Sequence, residues 1–400
     1  MPVSARVRTA DQAFAPVKDF YFTSRYGEGR FQPDVCDFTF GNPHEMPLPG
    51  LVEAIRERAL PRDKNWFAYK TTEEEPRAFV AERLAEELGL AFEPEDVALT
   101  AGAFAAIALT FRLVLDAGDE AVFPEPGWFC YEPTLLAADL VPRPVPLKGP
   151  SFDLDIEAID GAIGPRTRLV IVNTPHNPTG RIYPGSMLEE LAEVLERASA
   201  RVGHRVFLLS DEPYRKLRFD GRGFTSPAAV YPWTLVSYSW GKVLLAPGQR
   251  LGYLAVSPLM PAADRLPLRD AVFGAQMAMG WTFPNAVMQY AIPDLEDVII
   301  DRQALARRKD LVLETLRGSG YRPLPPEGTF YVWSRWPEGG DPDRLWNALA
   351  DRHVFVMPGS IMASPDWFRI SLTASDEMVA RALPHFEEVG RGAADVAGIS

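Results

Sequence analysis

The chain has 400 residues, of which 47% are hydrophobic and 24% charged, and its formal net charge at pH 7 is -13. This acidic balance argues against nucleic acid as the main partner, because phosphate recognition needs clustered basic residues. The sequence contains no apolar run long enough for a membrane span, and its two cysteines show no metal-ligand spacing. We therefore expect a cytoplasmic globular protein with no membrane segment and no metal site.

The first third of the chain predicts an irregular N-terminal arm followed by the start of an α/β domain. Residues 1–36 are mixed in character, and a short alternating strand then leads to Gly41. A helix is expected over 78–88, and a strand over 97–100 is followed by Gly102 and an apolar helix over 105–115. A strand, a glycine turn and a helix N-terminus together favour anion binding, although many such units carry a glycine without binding a ligand.

The middle of the chain repeats this strand, loop and helix pattern. Buried strands are expected over 119–123, 168–173 and 206–210, and further strands over 235–238 and 251–256. Residues 186–189 have the pattern of a capping box at the start of a helix. The repeats predict an α/β fold with a mostly parallel sheet flanked by helices.

The pattern changes near residue 290. A helix over 301–316, strands over 330–333 and 368–372, and a helix over 376–389 predict a smaller α+β domain. The expected division places an N-terminal arm and part of the small domain at 1–45, a large domain at 46–288, a small domain at 289–390 and a flexible tail at 391–400.

Several chemically distinctive residues lie in the predicted loops at strand ends, where open α/β sheets bind ligands. They are Gly102, Trp128, Asn177, Asp211, Lys242 and Arg250. They offer an anion cradle, a flat aromatic ring, an amide, a carboxylate, an amine and a guanidinium. Lys242 lies in an apolar run, where a partly desolvated amine can act as a nucleophile. A surface lysine lying over an apolar patch is the alternative.

These residues fall in motifs that resemble the class I and II aminotransferases, which are pyridoxal-phosphate enzymes of fold type I. The resemblance runs from about Phe38 to Leu383. The matching segments are Asn173-Thr-Pro-His-Asn-Pro-Thr-Gly180, Asp211-Glu-Pro-Tyr214, Ser239-Trp-Gly-Lys242 with Gly248 and Arg250, Gly328-Thr-Phe-Tyr331, Pro358-Gly-Ser360 and Phe368-Arg-Ile-Ser371.

The resemblance implies how pyridoxal 5'-phosphate is held. Lys242 would carry it as an internal aldimine and, once displaced by substrate, move a proton as general base and acid. Asp211 would keep the pyridine nitrogen protonated, and Tyr214 and Asn177 would bond the 3'-oxygen. The resemblance further implies that Trp128 stacks on the ring. The phosphate would be held by Arg250, Ser239 and the cradle of Gly102, Ala103 and Phe104.

The resemblance also implies the substrate contacts and a shared site. Arg369 would clamp the α-carboxylate, with Gly41 and Asn177 beside it; a salt bridge at a strand edge is the alternative for this arginine. Tyr69 would reach the phosphate of a neighbouring subunit, which implies a homodimer. Gly241 and Gln249 depart from the residue types usual in the family, which affects the expected cofactor contacts rather than the reaction class.

The resemblance therefore implies an aminotransferase exchanging an amino group between an L-amino acid and a 2-oxo acid by ping-pong chemistry. The same residues would also serve a β- or γ-lyase, a decarboxylase or an oxidase, and a ligand-sensing regulator is a further alternative. The substrate side chain is not defined by these motifs. An apolar subsite formed by aromatic residues is one hypothesis, and core packing is the other use of the same residues: Phe20, Tyr21, Phe22, Trp66, Phe67 and Trp281.

Overall fold

The computed structural model describes residues 2–397, with side chains for residues 2–393. Its strands are β1 (Cys36–Phe38), β2 (Val97–Thr100), β3 (Glu120–Glu125), β4 (Val141–Pro146), β5 (Thr167–Asn173), β6 (Phe207–Asp211), β7 (Thr234–Ser239), β8 (Gly252–Val256), β9 (Arg322–Leu324), β10 (Tyr331–Arg335), β11 (Val354–Pro358) and β12 (Trp367–Ser371).

Helices cover both sheets that these strands form. They are α1 (Ala5–Ala13), α2 (Ala15–Phe22), α3 (Arg25–Gly29), α4 (Pro49–Arg58), α5 (Glu74–Leu88), α6 (Ala103–Val114), α7 (Tyr131–Ala137), α8 (Ile156–Ala162), α9 (Gly185–Val202), α10 (Trp240–Val243), α11 (Ala262–Ala278), α12 (Ala286–Tyr290), α13 (Ile292–Leu295), α14 (Arg302–Gly318), α15 (Pro342–Ala350) and α16 (Asp376–Ala397).

The larger sheet has seven strands in the order β2-β8-β7-β6-β5-β3-β4. The pairs from β4 across to β7 are parallel, whereas β8 runs antiparallel to both of its neighbours. Strands β5 to β7 are buried almost throughout, as expected when helices cover both faces of a parallel sheet. The predicted α/β architecture is confirmed, and the carboxyl ends of β3, β5, β6 and β7 meet at one edge.

The smaller sheet has five strands in the order β1-β11-β12-β10-β9. Strand β1 from the N-terminal region pairs in parallel with β11, so the two ends of the chain form one sheet. Strands β10 and β12 pair antiparallel and bring Trp333 opposite Arg369. The sheet therefore fixes Arg369 by its ladder position, far along the chain from the loops of the larger sheet. The division into domains at the stated boundaries stays a prediction.

The N-terminal arm is helical rather than irregular, since α1, α2 and α3 occupy most of residues 5–29. Within it Phe20 and Tyr26 are buried and stacked at 4.9 Å, and they pack with Phe355 of β11. These helices are short and depend on tertiary packing, which leaves little periodic signal in the sequence.

Two predicted helix ends are wrong. Helix α9 begins after Pro184, and no side chain caps it, so residues 186–189 lie inside the first turn and do not form a capping box. Helix α16 continues to Ala397, so residues 391–397 are helical and not a flexible tail. The small residues of this stretch permit the helix, and Ala393 is buried against the small sheet's core. Residues 398–400 of the expected tail lie outside the described part.

The described residues contain neither a membrane-spanning helix nor a cluster of metal ligands. Across residues 2–397, none of the helices combines the length and apolar character needed to cross a membrane. In the same part of the chain, His, Cys, Asp and Glu side chains form no group of three or more arranged to hold a metal ion.

Candidate active site

A cavity of about 160 Å³ opens at the edge where β3, β5, β6 and β7 end. This is the position at which open α/β sheets bind ligands. Its lining residues are Ala103, Phe104, Ile107, Trp128, Asn173, Asn177, Asp211, Pro213, Tyr214, Ser239, Lys242 and Arg250. The structure therefore gathers most of the residues that the sequence singled out, although they come from positions 103 to 250.

Asp211, the last residue of β6, presents one carboxylate oxygen without a partner. The side chain is 3% exposed, and its Oδ2 accepts a 2.6 Å hydrogen bond from Tyr131 Oη. Its Oδ1 is buried and has no hydrogen-bond partner. Burial raises the pKa of Asp211 to about 6, against the opposing effects of the hydrogen bond from Tyr131, the nearby Ser237 hydroxyl and the charge of Lys242. An unpartnered buried acceptor of this kind suits a cationic N–H donor.

Tyr131 is a site residue that the sequence reasoning missed. It is the first residue of α7, is 2% exposed, and fixes the Asp211 carboxylate from 80 positions away. Asn173 at the end of β5 supports the same residue by donating from Nδ2 to the Asp211 carbonyl at 2.8 Å. Neither contact has a local sequence signal, because both depend on which strands become neighbours in the sheet.

The predicted anion cradle is formed at the start of α6. Gly102 precedes the helix with φ of 83°, and a Cβ atom there would lie 2.8 Å from Nη2 of Arg250. The first N–H groups of α6 and the Arg250 guanidinium thus face one another across a glycine with no side chain. Within the described residues Arg250 has no carboxylate partner, and its one hydrogen bond goes to the Pro247 carbonyl at 2.8 Å. Fixed positive charge at a helix N-terminus suits a phosphate group.

Lys242 lies on the short helix α10 and is half-buried. Its Nζ is 5.7 Å from the centre of the Tyr214 ring, and both residues line the cavity. Ser239 caps α10, where its Oγ accepts from the Gly241 N–H at 3.2 Å. A Cβ atom on Gly241 would lie 3.1 Å from Pro247, which is closer than nearly all such contacts, so this packing favours glycine before the lysine.

Arg369 of β12 is 2% exposed and makes no salt bridge within the described residues, which removes the alternative role considered for it. Its Nη1 donates to Asn177 Oδ1 at 2.8 Å, and its Nη2 donates to the Thr39 carbonyl at 2.8 Å. Its Nε is buried without a partner. A buried guanidinium lacking an anion is suited to bind a carboxylate from a ligand.

Gly41 lies close to this arginine through Tyr331. A Cβ atom on Gly41 would lie 2.6 Å from the Phe330 ring and 2.8 Å from the Tyr331 hydroxyl. The Arg369 guanidinium carbon is 3.9 Å from the centre of the Tyr331 ring. The requirement for glycine at position 41 therefore comes from the close approach of these side chains to the backbone, and not from an unusual φ angle.

Tyr69 is not part of the cavity of its own chain. It is 91% exposed and its ring centre is 5.0 Å from that of Trp281. The six aromatic residues considered for a substrate subsite are also absent from the lining. Phe20 is in the core of the small sheet, and Trp66 stacks on Tyr290 at 4.1 Å. The aromatic residues that do line the cavity beside Tyr214 are Phe104 and Trp128.

The donor set fits pyridoxal phosphate. The unpartnered Asp211 Oδ1 matches a ring N–H, and the α6 cradle with Arg250 matches a phosphate. Trp128 offers a flat face, and Lys242 offers an amine in the same cavity.

Comparison with known proteins identifies the family. Residues 33–386 match the family described as aminotransferase class I and II. The chain is 32% identical over 367 residues to the aspartate/prephenate aminotransferase of Thermus thermophilus, covering 89% of this chain and 91% of that protein. It is 28% identical over 363 residues to an aspartate aminotransferase of Thermotoga maritima, covering 89% and 91%.

Solved structures agree with the sequence matches. An aminotransferase from Eubacterium rectale superposes with a TM-score of 0.83 at 29% identity, covering 97% of this chain and 96% of that chain. Thermus thermophilus aspartate aminotransferase with maleate superposes with a TM-score of 0.80 at 28% identity, covering 97% and 100%. The chain therefore belongs to the class I and II aminotransferases and is a pyridoxal-phosphate-dependent transaminase acting between an amino acid and a 2-oxo acid.

Proposed function

We propose that the cavity at the ends of β3, β5, β6 and β7 is the transamination site and that Lys242 is its attachment point for the cofactor. The observation that carries this assignment is the buried, unpartnered Asp211 Oδ1 in the same cavity as Lys242. Asp211 would pair with the ring nitrogen, Trp128 would cover one face of the ring, and Tyr214 would bond its 3'-oxygen. Because Asn177 Oδ1 already accepts from Arg369, its Nδ2 is the group that would donate to that oxygen.

The phosphate would be held by the N–H groups of Ala103 and Phe104, by Arg250 and by Ser239. When bound, pyridoxal phosphate supplies a protonated ring that accepts electron density from the substrate α-carbon. Lys242 would then move the proton at the α-carbon, because its amine lies in the same cavity. Arg369 would hold the substrate carboxylate with Gly41 beside it, and its contacts with Asn177 and Thr39 would fix the plane of the guanidinium.

Borohydride trapping tests the attachment point. The purified protein is mixed with pyridoxal phosphate, reduced with borohydride, digested and mapped by mass spectrometry. We expect the cofactor on the peptide containing Lys242 and not on Lys216, which is also half-buried but pairs with Glu296. Labelling of other lysines with Lys242 unmodified would overturn the assignment.

We also propose that the protein acts as a homodimer and that Tyr69 reaches the phosphate of the partner's cofactor. The support is an apolar surface that includes Tyr69 at 91% exposure, Phe67 at 58% and Phe273 at 53%, with Trp281 between Tyr69 and Phe283. Contiguous exposed apolar surface of this kind marks interaction sites. Sedimentation of the loaded enzyme is expected to give twice the chain mass, and a monomer at micromolar concentration would contradict the proposal.

To identify the amino-group donor, we propose to compare dicarboxylic with aromatic amino acids as substrates. The names of the relatives point to aspartate and prephenate. In the described chain the cations lining the cavity are Lys242 and Arg250, both already assigned to the cofactor, so a side-chain carboxylate has no dedicated partner there. A higher kcat/KM for phenylalanine than for aspartate would support an apolar subsite. The reverse order would indicate that a cationic residue outside these lining residues binds the side-chain carboxylate.

A further inference from the structure

Tyr331 occupies a central position that no role assigned so far explains. It is the first residue of β10, is 2% exposed, and is held by a 3.0 Å hydrogen bond from its backbone N–H to Thr329 Oγ1. Its ring lies under the Arg369 guanidinium, and its hydroxyl lies against Gly41. Tyr331 thus touches both parts of the proposed carboxylate site.

The same side chain also lies beside Tyr214, which lines the cofactor cavity. The rings of Tyr331 and Tyr214 are 5.8 Å apart at 71°. The charged and titratable groups that face the phenol are Arg369 from β12, Lys242 from α10 and Tyr214 from the loop after β6.

We propose that Tyr331 is a positioning residue that supports the Arg369 guanidinium with its ring, whose centre is 3.9 Å from the guanidinium carbon. A cation over an aromatic face is held electrostatically, and more strongly where water is excluded. The inference rests on the proposed cofactor site.

Two variants separate the ring from the hydroxyl. Tyr331→Phe keeps the ring under Arg369 and removes only the hydroxyl, whereas Tyr331→Leu removes the ring and the hydroxyl. The matched control is Tyr321→Phe, because Tyr321 is 3% exposed, has an unpartnered hydroxyl and packs on Phe368, outside the site. Each protein is first loaded with pyridoxal phosphate and trapped with borohydride. Failure of the wild type to label at Lys242 would reject the proposed function itself and is therefore distinguishable from failure of this inference.

The first readout is KM for the amino acid. Tyr331→Phe should leave KM within about threefold, and Tyr331→Leu should raise it by about tenfold, as expected for loss of a desolvated cation–aromatic contact. The second readout is the absorbance of the bound cofactor, followed without substrate, which should be unchanged in both variants.

Tyr321→Phe should match the wild type in both measurements. A shifted cofactor absorbance in Tyr331→Leu would place the effect of this residue at the cofactor and overturn its role at Arg369. Equal KM values in the Phe and Leu variants would overturn the role of the ring.

Discussion

At the scale of single residues, the site is defined by polar groups that the protein buries without giving them partners. Asp211 Oδ1 and Arg369 Nε are both buried and unpaired within the described chain. Leaving such groups without hydrogen-bond partners destabilises the folded state, so the folded protein is expected to be more stable with a ligand bound at these groups than without one.

Asp211→Asn is expected to stabilise the cofactor-free protein at neutral pH. The folded-state pKa of Asp211, about 6, is above its ordinary value of 3.8, so the folded state binds this proton more tightly. Below about pH 4 the carboxyl group is largely protonated in both the folded and the unfolded state, so its burial does not reduce stability through ionisation. As the pH rises to about 6, the ionised carboxylate lowers the unfolding free energy increasingly. A shift of two units corresponds to roughly 3 kcal/mol. Denaturant unfolding of both proteins between about pH 4 and pH 7 measures this difference.

The exposed residue Asp220 provides the control, since Asp220→Asn should not change the pH dependence. Saturating pyridoxal phosphate should reverse the order of stability, because the carboxylate then has a cationic partner and the amide does not. A difference between Asp211→Asn and wild type that does not vary with pH would contradict the burial argument.

Arg369→Lys is expected to impair substrate binding and spare the cofactor. A lysine ammonium cannot reproduce the planar contacts to Asn177 and Thr39 or a bidentate grip on a carboxylate. We expect KM for the amino acid to rise by about 10- to 100-fold, the range for a charge-assisted hydrogen bond, with the absorbance of the bound cofactor unchanged. Steady-state kinetics and the absorption spectrum measure the two effects. Arg335→Lys, at a half-exposed ion pair with Asp366, should alter neither, and a normal KM in Arg369→Lys would reject the clamp.

At the scale of elements, the cofactor site depends on strand ends and on the helix starts that follow them. The turn from β2 into α6 presents the cradle, and the turn from β7 into α10 presents Lys242. In both turns glycine permits close packing, since a Cβ atom on Gly252 of β8 would lie 2.8 Å from the Gly102 backbone. The elements are therefore packed too tightly at this point to accept side chains.

Gly102→Ala should weaken cofactor binding beyond its effect on stability. Its φ of 83° strains any other residue, and the new methyl group would lie 2.8 Å from Arg250 Nη2. The control is Gly89→Ala, because Gly89 also has a positive φ, of 67°, and nothing within 4 Å of a built Cβ atom. Gly89, with ψ of 25°, is in the left-handed helical region, so its alanine variant should lose about 1–2 kcal/mol of stability. Gly102, with ψ of 171°, is in a region that is essentially restricted to glycine, so its variant should lose more. Only Gly102→Ala should raise the Kd for pyridoxal phosphate, measured by fluorescence titration, and equal Kd values would place the phosphate elsewhere.

At the scale of the whole molecule, the sheet of β1 and β9–β12 brings Arg369 to the large sheet's ligand edge. Arg369 bonds Asn177 after β5 and Thr39 after β1, so three distant parts of the chain meet at one guanidinium. The exposed aromatic surface around Tyr69 and Trp281 is adjacent to the cradle in the same chain, since Thr282 O accepts from the Ala101 N–H at 3.0 Å. Association through this surface would place two sites near each other.

If the proposed homodimer forms through this surface, Trp281→Asp is expected to convert it to a monomer and to lower cofactor affinity. The change would place a charge in the proposed apolar interface, which leaves an unpaired ion to be desolvated. Sedimentation velocity and a pyridoxal phosphate titration measure the two effects. Leu311→Asp on α14 is the control, because Leu311 is 50% exposed outside this surface. A Trp281→Asp dimer with normal affinity would exclude this face as the interface.

Much of the site was predictable because its chemistry is local in sequence. Ser239, Lys242 and Arg250 lie within 12 positions, and a strand followed by a glycine turn and a helix predicted the cradle at Gly102. The period of apolar residues also predicted the parallel sheet, since strands buried on both faces are continuously apolar. The short helices of the arm and the continuation of α16 to Ala397 were missed, because weak or small-residue helices depend on tertiary contacts.

The sequence by itself determined the fold class and the family, and it predicted the lysine, the carboxylate and the arginine of the candidate site. Only the tertiary structure decided which partners those groups have. It paired Tyr131 with Asp211, placed Tyr331 under Arg369, left Asp211 Oδ1 without a partner and kept Tyr69 outside its own cavity. The physical reason is that strand order and register set contacts between residues far apart in the chain, such as Tyr131 and Asp211 at 80 positions, and no local pattern records which loops the sheet brings together.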